Sequence, residues 1–415
     1  MESKTVTSDA LNQATILVVW FLQFGTLLSS NFLSPNERKK KDPIKILFLE
    51  SGIINAIDSL LQRGLMQIKC ACTLLVALLE DPNTAPKVTI KCCTKLMSAQ
   101  ITSKIYSILE QRSLPPEVEA LLFGCLSNCA SYGINLQIMT LDFCYFTHFF
   151  SQVQLRETMR LFQNLFKMLN KNLMPAQPFL LVYSSAQLFS NLSADPFFRD
   201  KIIEENGDTT LSNLFALLLT FQSSKRVENN TVYCVVLQAM ANLAFHPFVQ
   251  KSLLAPTSSS LNILILLAKK TSTPKEILPY LFFLLNNLVS NGLLLSTFFT
   301  LNFFTIQRTE RIPATEVQIK SFVEATVLQL GSESNNPFLI LSCLRLLYFI
   351  LRFNNNYVQL FVDANVLETI GTITSDNQII KDLIKAISIL VENTPEEIEA
   401  LEKVPKFDPN HVLFI

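Results

Sequence analysis

The chain has 415 residues, 49% of them apolar, and its 34 Lys and Arg balance 34 Asp and Glu. A neutral balance excludes a dedicated nucleic-acid binder, which carries a basic face. The length also exceeds the roughly 250–300 residues at which a single hydrophobic core stops growing. Nine cysteines, an odd number with several in apolar stretches (Cys125, Cys129, Cys234, Cys343), imply no disulfide framework and point to a reducing compartment.

The opening MESKTVTSDA has no apolar segment beside a basic one, so no cleaved signal is expected. Residues Ala10 to Asn36 then carry no charge, and neither do Ile277 to Gln307. Both are long enough to span a bilayer, and the mean hydropathy of the chain is high at +0.32. Polar side chains (Asn12, Gln13, Gln23 and Asn31 in the first, Asn286, Asn287 and Asn291 in the second) weigh against insertion. The first segment is instead predicted to be a capping helix over about 10–30, with Leu11, Ile16, Val19, Trp20 and Phe24 on its apolar face. The basic run Arg38 to Lys41 reads as a solvated loop.

Helical periodicity is clear from Ile53 onward. Ile53, Ile54, Ile57, Leu60 and Leu61 share one face, and after Arg63-Gly64 a second helix carries Ile68, Ala71, Leu74, Leu75, Leu78 and Leu79. Neither helix could bury that face alone.

A longer period follows. A helix ending in Asn-Leu or a near relative, a short turn and a second apolar segment recur at Asn128, Asn191, Asn242 and Asn287, with Ile350 in the Asn place of FILRFNNNYVQLFV. Degenerate copies place Thr26, Ala77 and Ile389 there. The steps from 26 to 389 are 51, 51, 63, 51, 45, 63 and 39 residues, near the ~40–47 of armadillo and HEAT repeats once loops are inserted. In register with them, an acid and then Gly or Asn precede a new apolar helix at Gly52, Gly207 and Asn365. Gly, and less readily Asn, accepts the left-handed backbone that lets one helix stop and the next leave at a sharp angle.

Phe48 to Asp81 resembles an armadillo repeat. Glu50-Ser51-Gly52 is similar to the turn between the family's first and second helices, and Arg63-Gly64 to the turn before its third. FVDANVLETI, Phe361 to Ile370, resembles the start of a second helix; the likeness is weakest from Leu141 to Asn172. The expected fold is therefore all-α, a right-handed α-solenoid of stacked armadillo/HEAT-like helical repeats. It is read as one domain over 1–415, with repeats over about 44–400 and a tail over 401–415. The resemblance implies a concave groove lined by third helices, with Asn128, Asn191, Asn242 and Asn287 facing it. Armadillo importins carry a Trp four residues before that Asn; Gly124, Gln187, Gln238 and Phe283 stand there instead, and the single Trp is Trp20.

No chemistry emerges from the motifs. His148, His246 and His411 are far apart, and the spacings of Cys70, Cys72, Cys92 and Cys93 do not match a zinc knuckle. No phosphate-binding glycine loop or nucleophile elbow occurs. Glu396-Glu397, after Pro395, reads as a helix-start pair. The expectation is a non-catalytic scaffold or adaptor with no cofactor and no metal, binding a protein or peptide and no nucleic acid, in the cytoplasm or also the nucleus. The alternatives are a chaperone cofactor, a transport or tethering subunit, and a membrane-associated helical protein.

Overall fold

The computed structural model describes residues 10, 13–18, 43–79, 91–92, 95–96, 99–111, 113–139, 163–222, 228–255, 259–270, 273–289, 316–331, 336–353 and 357–392. Regular structure among them is helical, with no strand. The chain divides into two compact units, residues 1–198 and 199–415.

In the first unit, α1 (Pro43–Glu50), α2 (Ile53–Leu61) and α3 (Leu65–Leu79) form one three-helix repeat. All five apolar residues predicted for α2 are buried. Helix α3 buries Cys70, Cys72 and Ala77 besides the predicted set, because it packs on α2 on one side and on a later helix on the other. The pattern continues with α4 (Ile101–Gln111) and α5 (Pro116–Met139), then α6 (163–172) and α7 (Phe179–Ala194). Third helices stack in order, α3 on α5 and α5 on α7, while the second helix α2 packs on α4. The second-helix layer is joined by polar pairs: Lys104 Nζ to Asp58 Oδ1 at 2.5 Å, and Asn164 Nδ2 to Glu110 Oε1 at 2.7 Å.

The second unit repeats the scheme. Helix α8 (Pro196–Gln222), which falls mostly in this unit, is two helices joined across a kink at Asn206 (φ −155°, ψ 33°). After it come α9 (Glu228–Leu243), α10 (Pro247–Leu254), α11 (Ser259–Lys269) and α12 (Leu278–Val289). Then follow α13 (Glu316–Gly331), α14 (Pro337–Phe353), α15 (Val358–Asp363), α16 (Val366–Gly371) and α17 (Gln378–Glu392). Third helices α9, α12, α14 and α17 stack in sequence, and second helices α11, α13 and α16 do the same. Lys269 Nζ meets Glu324 Oε2 at 2.7 Å, and Gln329 Nε2 donates to Ala268 O at 2.7 Å, again across second helices. This helix order, with third packing on third and second on second, is the armadillo-like stack expected from the period.

Several expectations meet the coordinates directly. Gly52 (φ 89°) and Asn365 (φ 54°) are left-handed, as their places before a new helix require. Gly207 is not: the break falls one residue earlier, at Asn206. A Cβ at Gly207 would lie 3.1 Å from Phe248 Cε1 and 3.4 Å from Ile203 Cγ2, so glycine is there for close packing under the Phe248 ring. At the N-terminus, Thr15 is buried while Ile16 is 59% exposed. The described turn therefore presents Thr15 inward and not Ile16, a correction to the predicted face; Leu11, Val19, Trp20 and Phe24 lie outside the described residues. No single described helix is long and apolar enough to cross a membrane; α9 and α10 pass such a test only as a pair, bent by 112°. Of the charge-free stretch from Ile277, residues 278–289 form the buried third helix α12, and residues 290–307 lie outside the described set.

The bend between α9 and α10 is made by His246, whose Nδ1 accepts from Phe248 N at 3.1 Å and so caps α10 ahead of Pro247. Burial lowers the His246 pKa, the Asp200 carboxylate opposes that, and Arg199 adds to it. A depressed pKa means the neutral ring fits the fold better, so this contribution to stability is present above about pH 6.5 and is lost as pH falls through the folded value. The thermal midpoint is expected to be flat above about pH 7 and to decline toward pH 5. His246→Asn, which caps without titrating, removes the histidine share of that decline. Backbone handedness gives a second prediction. Gly52→Ala costs about 1–2 kcal/mol by forcing a Cβ into the left-handed region, whereas Asn365→Gly gains a few tenths. Urea midpoints of the two variants measure both signs.

Candidate functional site

A third helix inside the stack is buried on both flanks, so only a narrow row of each is left facing solvent. On α5 that row holds Leu121, Gly124 and Asn128, and on α7 it holds Ser184, Gln187 and Asn191, all half-buried. In the second unit it holds Thr231, Val235 and Gln238 on α9, and Tyr280 and Phe283 on α12. These residues stand at the Asn position and four, seven and eleven residues before it, one face of a 3.6-residue helix.

All four predicted asparagines lie on third helices. Asn128 and Asn191 are half-buried, Asn242 is 8% exposed and Asn287 is 3% exposed. The amides of Asn191 and Asn287 reach across the stack. Asn287 Nδ2 donates to Ala241 O at 2.8 Å, the residue just before Asn242 on the preceding third helix. Asn191 Nδ2 donates at 3.0 Å to Ser127 O and Oγ, just before Asn128. The same offset in both units defines a clip in which Asn191 and Asn287 each hold the helix before it. Near these helix ends the carbonyls lack partners within the helix. First helices supply them: Gln250 Nε2 donates to Asn287 O at 3.2 Å, and Arg199 Nη1 to Asn242 O at 3.4 Å. Gln250 and Arg199 each stand three residues after the proline that starts their helix, Pro247 and Pro196.

Helix α14 corrects the sequence register. With Ile350 in the Asn place, the residues four and seven before it are Leu346 and Cys343, and all three are sealed at 2%, 0% and 0% exposure. With Arg352 there, which also stands five residues before Tyr357 as Asn191 and Asn242 stand five before Pro196 and Pro247, the row becomes Phe338, Arg345, Tyr348 and Arg352. Phe338 is 55% exposed, Tyr348 half-buried and Arg352 exposed. Arg352 Nη1 donates to the Tyr348 hydroxyl at 3.1 Å, and its guanidinium lies 5.9 Å from the centre of that ring. The absence of an Asn from this helix hid the register from sequence matching, although Phe338, Arg345 and Arg352 stand seven apart.

Three of the described thiols, Cys125, Cys234 and Cys343, are held protonated. Cys125 Sγ donates to Cys72 O at 3.5 Å, and its pKa is raised by the Cys72 thiol and by burial. Cys234 Sγ donates to Glu276 O at 3.4 Å; burial, then the Glu276 carboxylate, push it up to about 12. Burial raises Cys343 and the Tyr280 phenol as well. A thiol held protonated is a small hydrophobe and no nucleophile. Among the described residues, no three His, Cys, Asp or Glu converge as a metal would need.

No protein-family model matches the chain, and no curated protein matches its sequence. Solved structures with a similar chain path include two engineered proteins of the Northeast Structural Genomics Consortium. One is 16% identical, covering 70% of this chain and 96% of its own at a TM-score of 0.46. The other is 13% identical, covering 94% and 97% at 0.44. A third set is computationally designed armadillo repeat proteins for modular peptide recognition, 16% identical, covering 58% of this chain and 94% of theirs at 0.39.

The clip geometry predicts what the asparagines do for folding. Asn287→Ala leaves a cavity and removes a buried hydrogen bond, and is expected to cost about 1–2 kcal/mol in urea unfolding. Gln250→Ala, which orphans the Asn287 carbonyl, is expected to cost about 1 kcal/mol.

Proposed function

We propose that the chain is a non-catalytic scaffold that holds an extended or helical segment of a partner protein along the solvent-facing rows of its third helices. The observation that carries this reading is the difference between the two helix layers. Second helices turn charged and polar side chains to one another, as Lys104 does to Asp58 and Lys269 to Glu324. The third-helix rows of the second unit instead offer Tyr280, Phe283, Phe338, Tyr348 and Arg352. Aromatic residues and arginine dominate the energetics of protein interfaces, because they present large contact area at low entropy cost with a polar tip.

In the first unit the half-buried carboxamides of Asn128 and Asn191 belong to the same reading. Asn191 keeps its Oδ1 for a partner N–H while its Nδ2 holds the preceding helix, and a carboxamide pairs with main chain of any sequence. Asn287, deeper, supports the row by holding the preceding helix through its amide. An importin-like role lacks support in the residues four before each Asn, none of which is Trp. Chaperone-cofactor and tethering roles use the same face and are specialisations of this reading. The cysteine usage favours a reducing location, cytoplasm or nucleus.

The test is partner capture with the full chain as bait, followed by variants on both layers. Phe283→Ala with Tyr348→Ala is expected to weaken the captured partner at least tenfold, the scale of losing interface anchors. Lys269→Ala, on the second-helix layer, is expected to leave it unchanged. Equal retention by both variants removes the third-helix face from the proposal.

A further inference from the structure

Arg345 sits in the middle of the α14 row, between exposed Phe338 and exposed Arg352, yet only 5% of it is exposed. Its Nε and Nη2 are buried and have no hydrogen-bond partner among the described residues. Among the described residues no carboxylate pairs with it. Burial alone pulls its pKa down to about 10, with no acidic group offsetting the loss of water. At neutral pH it is therefore a buried, protonated guanidinium whose charge no carboxylate of the described residues balances. In the four third helices that carry the Asn, the residues seven before it are Leu121, Ser184, Val235 and Tyr280, none of them charged. A second buried arginine of this unit is bonded through one nitrogen of its guanidinium. Arg199, 7% exposed, donates to Asn242 O at 3.4 Å and lies 5.4 Å from the Phe245 ring centre.

A buried guanidinium without a counter-charge is costly and calls for a group that completes it. Resting on the scaffold reading above, we infer that Arg345 is the anchor for a carboxylate side chain, Asp or Glu, of the partner segment lying along α14. One guanidinium carries one positive charge. A planar carboxylate accepts two parallel N–H bonds from its fork and cancels that charge, whereas a phosphate dianion leaves a buried negative charge behind. The way in is along the row, past Tyr348 and Arg352, which are held to each other and not to Arg345. Arg352 at the rim draws an acidic segment in, and Arg345 fixes its position.

The experiment uses the full chain and two labelled, end-capped peptides, hexaglutamate and hexaglutamine, with anisotropy and thermal midpoint as readouts. The wild type is expected to bind hexaglutamate at least tenfold more tightly than hexaglutamine. Arg345→Met, similar in length and uncharged, is expected to fold with an equal or higher midpoint and to lose that preference. Arg345→Lys keeps the charge without the fork and is expected to recover only part of it. Arg352→Ala is expected to cost a few-fold at most. Three results overturn the anchor: no preference for hexaglutamate in the wild type, unchanged preference in Arg345→Met, or a lower midpoint in Arg345→Met with binding intact. Inorganic phosphate that raises the wild-type midpoint as much as hexaglutamate and competes with it overturns the choice of carboxylate. Equal binding of both peptides removes the anchor while the scaffold reading stands, since that reading falls only with Phe283 and Tyr348 in the partner assay.

Discussion

Each third helix must be buried on two flanks at once, and the rest of the structure follows from that. An ordinary amphipathic helix needs one apolar face. Helix α3 buries nine residues, and α12 buries nine of its twelve, including Asn286 and Asn287. Such helices cannot stand at the surface of a single-core domain. They are stable only between copies of themselves, which is why a chain of this length extends by repetition instead of enlarging one core. The same requirement explains a mean hydropathy of +0.32 without invoking a bilayer for the described helices.

Burial on both flanks leaves a problem at the helix ends, where carbonyls lack partners and close neighbours exclude water. The chain solves it with side chains set in the repeat. Asn191 and Asn287 reach back to the preceding third helix, while Gln250 and Arg199 reach in from first helices to the carbonyls of Asn287 and Asn242. Apolar contact is non-directional and would tolerate sliding of one helix along another. A hydrogen bond fixed at one offset does not. The asparagines therefore set the register between repeats, and the apolar flanks supply the bulk of the attraction.

The sequence made some of this legible and hid the rest for physical reasons. Helices α2 and α3 were readable residue by residue, because side-chain periodicity depends only on local geometry. Gly52 and Asn365 were readable because a positive φ leaves few residue choices. Gly207 was misread: a glycine required by the Phe248 ring packing over it looks, in one dimension, like a glycine required by a turn. The Asn positions were found by their recurrence, but the direction of their amides was not, since a carboxamide at a helix end serves a cap, a neighbour or a ligand equally well. In α14 the absence of Asn removed the landmark, and the apolar string around Leu344 to Leu351 matches several registers two residues apart.

Arg345 is the hardest residue to explain from inside the fold. In a string such as LSCLRLLYFILRF an arginine reads as the polar edge of an amphipathic helix, with its head in water. The structure places it in the polar row, as that reading requires, but seals the head away from water. The two conditions conflict only for the chain by itself. A row that is buried once a partner lies on it would select for residues that are poor in the free protein and good in the complex. Local rules are broken at such positions and obeyed elsewhere. Arg199, in the same unit and nearly as buried, obeys them through a carbonyl and an aromatic face. Arg199 has a carbonyl and a ring against its guanidinium, whereas Arg345 has neither among the described residues, and that difference is what an acidic partner side chain would remove.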